Sequence, residues 1–236
     1  MHPRLSIVIP AYNEDGTIAQ LLERVLAVEV PGGTEIIAVD DGSTDATPTI
    51  LKQYQEKVTV LTHTKNAGKG AAVRTGYAHA HGEYVVVQDA DLEYDSKDLE
   101  RMFQHVIEKN IPVLYGSRRL AFSSEEPIRG AWYFYLGGVG VTWFADMLYG
   151  LHITDEPTCY KMIRADVLQR IMPLESTGFE FCPEVTAKIA RLGVPIIEIP
   201  IHYHPRTSAE GKKIRFHDGI IALWTLLKYR LWRPRQ

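Results

Sequence analysis

Apolar and polar positions run through this chain in two periods, and the switches between them predict its elements. Residues 5–10 form a short, almost wholly apolar run, the pattern of a strand covered on both faces. Residues 18–28 carry apolar side chains at helical spacing, and 35–39 read as a second strand running into Asp40-Asp41-Gly42-Ser43-Thr44-Asp45. A helix over about 46–55, a strand at 58–61, a helix over about 69–79 and a β-branched strand at Tyr84–Val87 follow. Strands alternating with helices at this spacing predict an α/β fold with a mostly parallel sheet, whose ligands bind at the carboxyl ends of the strands. Three polar clusters fall at those ends: Tyr12-Asn13-Glu14, Asp40-Asp41 and Asp89-Ala90-Asp91. They should converge on one cleft.

Beyond Asp95 the pattern changes. A helix over 99–108 and a strand at 113–115 lead into Gly116-Ser117-Arg118-Arg119 and a polar loop at 121–129. An aromatic run at 131–151, a turn at 152–156, a short strand near 160–162, helices near 165–172 and 183–192, a final strand at 195–204 and a final helix at 216–232 complete the chain. No internal repeat or low-complexity linker interrupts it.

At 236 residues with 45% hydrophobic content, the chain can bury one substantial core. Its net charge of −3 argues against a nucleic-acid binder. From Pro205 onward, however, eight Lys or Arg (206, 212, 213, 215, 228, 230, 233, 235) stand against two acids, Glu210 and Asp218. Cys159 and Cys182 lack C-x-x-C spacing and read as reduced core thiols of a cytosolic protein. A strand that starts by Leu5 leaves no room for a secretory leader. The uncharged run 131–145 is shorter than the ~20 apolar residues of a spanning helix, so no segment is expected to cross a membrane alone.

Asp89 and Asp91 directly follow a buried strand. Side chains two apart on an extended chain point the same way, so both carboxylates can face one ion. Hard cations such as Mg²⁺ or Mn²⁺ often bind through one or two carboxylates plus substrate phosphates. An acidic turn closing the strand is the plainer alternative. Glu93 continues the series and is a third ligand provided the chain stays extended there. Lys69, between Gly68 and Gly70, starts a helix and lacks the spacing of a P-loop. Arg206 and Lys212 lie on a Ser- and Gly-containing loop suited to closing over a diphosphate, or on a solvated basic loop. Asp155, in Thr154-Asp155-Glu156-Pro157-Thr158, is either a general base for a hydroxyl acceptor or a turn-stabilising side chain. Ser43 or Thr44 is expected to cap the following helix. His202 and His204 share a strand face and, with no third ligand evident, read as a polar edge rather than a metal site.

Four segments occur in order: Ser6-Ile7-Val8-Ile9-Pro10-Ala11-Tyr12-Asn13-Glu14, Val39-Asp40-Asp41-Gly42-Ser43-Thr44-Asp45, Asn66-Ala67-Gly68-Lys69-Gly70 and Asp89-Ala90-Asp91. Together they resemble the inverting glycosyltransferase family 2, which has the GT-A fold. Gly116-Ser117-Arg118, Thr154 to Lys161, Gly178-Phe179-Glu180-Phe181 and Pro205 to Lys213 narrow the resemblance to the dolichol- and polyprenyl-phosphate sugar transferase branch. It covers about 5–229, with Cys159 standing where many relatives carry Gly. Many relatives also add transmembrane helices after the position where this sequence stops, which leaves its mode of membrane attachment open.

The resemblance implies that Pro10, Tyr12, Glu14 and one of Asp40 or Asp41 hold the nucleoside of an activated sugar. Lys69, Ala90, Arg206 and Lys212 join them on the donor, with Asp89, Asp91 and Glu93 at a Mg²⁺ or Mn²⁺ ion. Ser117, Arg118 and Arg129 would grip an acceptor phosphate, which is mostly dianionic at neutral pH and needs no base to attack. The expected activity is transfer of a hexose from GDP-mannose or UDP-glucose to a polyprenyl or dolichyl phosphate by metal-assisted direct displacement. The alternatives are a hydroxyl acceptor with Asp155 as base, and a non-catalytic nucleotide-sugar-binding regulatory module. A dinucleotide dehydrogenase is disfavoured, since no G-x-G-x-x-G follows the first strand.

The expected layout is a GT-A domain over 1–215, with a nucleotide-binding half to about 95 and an acceptor-side half beyond, then an amphipathic helix in 216–236. That helix carries Phe216, Ile220, Leu223, Trp224, Leu227 and Leu231 at helical spacing, with Trp224, Tyr229 and Trp232 as interfacial anchors. It suits either a peripheral position on the inner face of the cytoplasmic membrane or packing on the core. The aromatic run 131–151 is open in the same way. The sequence leaves oligomeric state undetermined.

Overall fold

A computed structural model of the chain describes residues 4–120, 132–205 and 216–234. Among them, seven strands form one sheet in the order β3-β2-β1-β4-β6-β5-β7. The strands are β1 Leu5–Ala11, β2 Thr34–Asp40, β3 Thr59–Thr62, β4 Tyr84–Val87, β5 Val113–Ser117, β6 Lys161–Arg164 and β7 Ile197–Pro200. The helices are α1 Ile18–Leu26, α2 Thr47–Gln53, α3 Lys69–Ala78, α4 Asp98–Lys109, α5 Trp132–Tyr149, α6 Ala165–Ile171, α7 Phe181–Arg191 and α8 Phe216–Tyr229. This is the mixed α/β architecture of a GT-A fold. Every element expected within the described residues forms, with ends shifted by a few residues.

The apolar runs become central strands because both faces are covered. All four residues of β4 are buried, and β1 is buried except at Pro10. Helix α3 lies close on the sheet because Gly76 leaves room: a Cβ there would come within 2.2 Å of Val8. Strands β1, β2, β3 and β4 run parallel, and β5 and β7 are parallel to each other.

Strand β6 runs antiparallel to both β4 and β5. That reversal has a functional consequence. A strand entering from the carboxyl ends of its neighbours brings the residues before it, 154–160, to the edge where β4 and β5 end. The Gly116 N–H donates to the Tyr160 carbonyl at 2.8 Å, fixing this junction.

The last strand is shorter than the expected 195–204. After Pro200, Ile201 N–H still donates to the Ser117 carbonyl, and the chain then turns to pair Tyr203 with Tyr94 in an isolated bridge. A second apolar cluster joins α5, α7 and α8 through Val141, Ala145, Ala187, Leu226 and Tyr229. No helix among the described residues is long and apolar enough to cross a membrane.

Candidate active site

The three expected polar clusters do lie at the carboxyl ends of β1, β2 and β4. The loops after β1 and β2 are laced together: Asn13, in the left-handed region at φ 50°, accepts from Thr44 N–H at 2.8 Å and donates its own N–H to the Ser43 hydroxyl at 3.0 Å. Thr47 Oγ1 accepts from the Glu14 N–H at 2.9 Å. Ser43 and Thr44 therefore bind the neighbouring loop instead of capping α2, whose N-cap residue is Ala46. Asp45 takes over the turn before the helix, accepting from Thr47 N–H at 2.9 Å.

The two adjacent acids after β2 separate cleanly. Asp41 accepts from the Ala67 and Gly68 N–H groups at 2.9 and 2.8 Å and pairs with His63 at 2.6 Å, so it organises the loop that delivers Lys69. Asp40 accepts from Ser43 N–H at 3.0 Å. Of the pair, Asp40 is the better placed for a nucleoside. Gly68 makes the delivery possible, with φ +98° and a Cβ position only 2.4 Å from the Thr177 carbonyl.

Lys69 is not a solvated helix start. Its ammonium sits 2.6 Å from Asp89 Oδ1 and 3.0 Å from Cys159 Sγ, with the rings of Phe179 and Phe181 on either side at 5.3 and 5.8 Å. Burial works most strongly against its charge, but Asp89 together with the neighbouring cysteine sulfurs more than offsets it and keeps the lysine protonated.

The geometry after β4 departs from an extended chain. Residues 90–91 turn, and Leu92 has φ 63°. The condition for Glu93 to continue the ligand series therefore fails: Asp91 Oδ1 accepts the Glu93 N–H at 3.1 Å, while the Glu93 carboxylate accepts from Tyr203 at 2.7 Å. Glu93 anchors the chain after β7. Its charge still reaches Asp91, whose carboxyl is pushed up to about 7, chiefly by burial and then by Asp89 and Glu93. Among the described residues no three His, Cys, Asp or Glu already form a metal cage. Asp89 and Asp91 nonetheless fit a hard cation that a diphosphate helps to hold, because crowded carboxylates are what such an ion relieves.

The β5 end is built around one buried ion pair. Both Asp155 oxygens are taken by Arg118, from Nε at 2.7 Å, Nη2 at 2.8 Å and its backbone N–H at 2.9 Å. Asp155 is fully buried, and against the cost of burial Arg118 holds its carboxyl below the ordinary value. A carboxylate held this way is a poor proton acceptor, which counts against the general-base role and favours an orienting one. The Arg118 guanidinium lies 5.0 Å over Tyr203. Ser117 is buried too, its hydroxyl bonded to Thr154 at 2.6 Å and accepting from the N–H groups of Arg119 and Leu120. It shapes the turn that presents the two arginines.

Two residues escape sequence reasoning. Arg119 donates to the Thr154 carbonyl at 2.6 Å and to Thr142 at 3.2 Å and stacks on Tyr135, making it a second cation at this edge. Glu198 accepts from the N–H groups of Thr154 and Asp155 at 2.6 and 3.1 Å, fixing the 154–158 turn. An acid inside the apolar run of β7 was the available signal. His202 pairs with Asp98 at 3.1 Å, consistent with a strand edge. Arg129, Arg206 and Lys212 lie outside the described residues.

Comparison with known proteins agrees with this geometry. The sequence model of glycosyl transferase family 2 matches residues 6–172. A low-salt glycan biosynthesis hexosyltransferase of Haloferax volcanii is 29% identical over 97% of this chain, which spans 53% of that protein. A dolichyl-phosphate beta-glucosyltransferase of Dictyostelium discoideum is 28% identical over 89% of this chain and 68% of its own length. The glucosyl-3-phosphoglycerate synthase of Mycobacterium tuberculosis, solved with Mn²⁺, UDP and phosphoglyceric acid, superposes with a TM-score of 0.71 at 16% identity, over 98% of this chain and 80% of that one. The fold is shared at that level. The chain thus spans about half the length of one curated relative and two thirds of another.

Proposed function

Because this chain belongs to glycosyl transferase family 2, we propose that it moves a hexose from a nucleotide diphosphate sugar, GDP-mannose or UDP-glucose, to a polyprenyl or dolichyl phosphate with inversion. The observation that carries the choice of acceptor is the Arg118–Asp155 pair. A hydroxyl acceptor needs a base, and the candidate base is spent on an arginine. A phosphate dianion brings its own nucleophile and needs cations, which Arg118, Arg119 and, beyond the described residues, Arg129 supply.

On the donor side Pro10, Tyr12, Glu14 and Asp40 form the nucleoside pocket, and Asp41 holds the loop that carries Lys69. Asp89, Ala90 and Asp91 face the diphosphate, joined by Arg206 and Lys212. A bound Mg²⁺ or Mn²⁺ would act as a Lewis acid on the leaving diphosphate. Asp89 and Asp91 hold that ion, and Lys69 fixes the orientation of Asp89. Arg118, locked by Asp155, positions the attacking phosphate oxygen on the opposite face of the sugar.

Attachment is peripheral, at the cytoplasmic face of the membrane. Leu136, Trp143 and Met147 on α5 and Ile220, Trp224 and Leu227 on α8, with Leu231 just beyond it, are exposed on outward faces, while Leu226 and Tyr229 pack inward. Exposed Lys228, Arg230 and Arg233 flank α8 with the sign that anionic headgroups attract. On this reading α8 serves both expected roles, one on each face.

Labelled GDP-mannose and UDP-glucose, each offered with Mn²⁺ and a polyprenyl phosphate, a saccharide or phosphoglycerate, test the assignment. Label should enter the lipid extract. Transfer to a hydroxyl acceptor with an empty lipid phase would overturn it, and nucleotide binding without transfer to any acceptor would favour a regulatory module.

A further inference from the structure

The segment Gly178-Phe179-Glu180-Phe181 packs against the start of α3, where Lys69 stands. The rings of Phe179 and Phe181 lie 5.3 and 5.8 Å from the Lys69 ammonium. Just before them, the Thr177 carbonyl accepts the Ala71 N–H at 3.1 Å. Gly70 has no room for a side chain: a Cβ there would come within 2.7 Å of the Ser176 carbonyl and 2.8 Å of the Gly178 carbonyl. Residues 176–181 thus form a seat for the first turn of α3, and Lys69 is the side chain held in it.

Two acids one helical turn apart shape this seat. Glu184, buried in α7, accepts the Glu175 and Ser176 N–H groups at 2.8 and 2.7 Å and pairs with Lys188 at 2.7 Å. Glu180 accepts the next two, Thr177 N–H at 3.1 Å and Gly178 N–H at 3.0 Å, both on Oε1. Four consecutive N–H groups are fixed in this way, and the carbonyls of Ser176, Thr177 and Gly178 meet the backbone on either side of Lys69. Glu180 is also the N-cap residue of α7, where an acid ordinarily turns forward to the N–H groups of its own helix. Its carboxylate makes no such bond and reaches back to the loop instead.

We propose that Glu180 is a positioning residue for the donor site, holding the 177–178 turn so that the Lys69 ammonium meets Asp89 at 2.6 Å. The proposal rests on Lys69, Asp89 and Asp91 forming the diphosphate end of that site. Glu180 acts through three links: its carboxylate to the Thr177 N–H, the Thr177 carbonyl to the Ala71 N–H, and the Lys69 side chain to Asp89. Each link is a hydrogen bond or ion pair of fixed direction, so a loosened turn frees the start of α3 and lets Lys69 drift from Asp89. The turn needs an acceptor oxygen there and not a charge, which an amide supplies as well as a carboxylate.

Calorimetric titration of UDP and of GDP into the intact chain with Mn²⁺ tests this, beside steady-state kinetics with polyprenyl phosphate. For the nucleotide that wild type binds, Glu180→Ala should weaken binding about tenfold, the usual loss when a group that orients a metal ligand is removed. The KM for the lipid phosphate should not move. Glu180→Gln should restore most of the binding, its amide oxygen accepting the same two N–H groups. Lys69→Ala should weaken binding at least as much as Glu180→Ala, and combining the two should cost nothing more, the non-additivity of residues that act on one contact. Glu180→Ser, which can cap α7, stands in should the alanine variant fail to fold. Full nucleotide binding without the Glu180 carboxylate, losses that add in the double variant, no rescue by glutamine, or a change confined to the lipid-phosphate KM overturns the proposal. Wild type that binds neither nucleotide with Mn²⁺, or Lys69→Ala that binds as well as wild type, overturns the donor-site assignment itself, and the role of Glu180 with it.

Discussion

At the ends of β2 and β4 two of the acids are held by backbone close in sequence, Asp40 by the Ser43 N–H and Asp91 by the Glu93 N–H, while Asp41 and Asp89 both reach the loop and helix start at 67–69. At the end of β5 the arrangement depends on distant partners, since Arg118 is bound to Asp155, 37 residues away, and the turn carrying Asp155 is bound to Glu198, 44 residues from Thr154. The donor edge joins local turns to that one segment, and its carboxylates are crowded. The acceptor edge is a buried ion pair that the fold must assemble. Changes at the first should therefore cost chemistry and little stability, and changes at the second should cost both.

The largest expected effect is at Asp91. Asp91→Asn should lower turnover on the order of 10³-fold, the scale of losing one preorganised charge contact to the transition state. Its melting temperature should hold or rise, because a like-charge contact with Asp89 and Glu93 is relieved. Steady-state kinetics beside a thermal melt decides this. A variant that unfolds would show that the acidic turn is structural and erase the contrast between the two edges.

Asp155→Asn comes next. Removing one partner leaves the buried Arg118 cation uncompensated, a loss of about 3 kcal/mol by urea unfolding. The apolar double change Arg118→Met with Asp155→Leu should recover most of it while remaining inactive toward lipid phosphate. The pH dependence has a definite sign. The folded Asp155 carboxyl titrates below its unfolded value, so its contribution is present above the unfolded pKa and fades as pH falls toward the folded one. The gap between wild type and Asp155→Asn should close below pH ~4. A variant as stable as wild type at neutral pH would mean that the pair does not hold the edge together.

The adjacent acids after β2 offer a finer cut within the donor edge. Asp40→Asn should raise the donor KM about tenfold, the loss of one charged hydrogen bond to the nucleoside, with the melting temperature barely moved. Asp41→Asn should instead cost about 2 kcal/mol of stability, because it weakens the bonds to His63, Ala67 and Gly68. Reversed outcomes would exchange the roles assigned to the two residues.

These differences follow from what a linear pattern can carry. Strands β1, β2 and β4 and the acids that follow them were legible because a parallel βαβ chain places each strand end by local sequence alone. The sequence could not show that β6 reverses direction, since Lys161–Arg164 is only four residues long and carries no directional mark. That reversal is what brings Asp155 to Arg118 and Cys159 to Lys69. The left-handed Leu92 was equally hidden, for Leu has no preference for positive φ, and it is this residue that diverts Glu93 from the metal to Tyr203. Asp41 and Asp40 looked alike because adjacent side chains on the same turn differ only in which partners the fold brings to them.

The outer faces of α5 and α8 give the smallest effect on chemistry and the sharpest separation of binding from catalysis. Trp224 is 65% exposed and Trp143 64%. Trp224→Ser with Leu227→Ser should leave stability within about 0.5 kcal/mol, as surface changes usually do. Turnover of a short-chain, water-soluble phosphate acceptor should also be unchanged, because its reacting group needs only Arg118 and the donor acids. Sedimentation with anionic vesicles should fall several-fold, and transfer to a long-chain acceptor embedded in them should fall in proportion. If vesicle binding persisted, the exposed stripe would not be the attachment surface, and the inward-facing Tyr229 and Leu226 could not replace it without unpacking α8 from α5 and α7. If the short acceptor were lost as well, the helix would belong to the acceptor edge, and that edge would extend from the ion pair at β5 into the second apolar cluster.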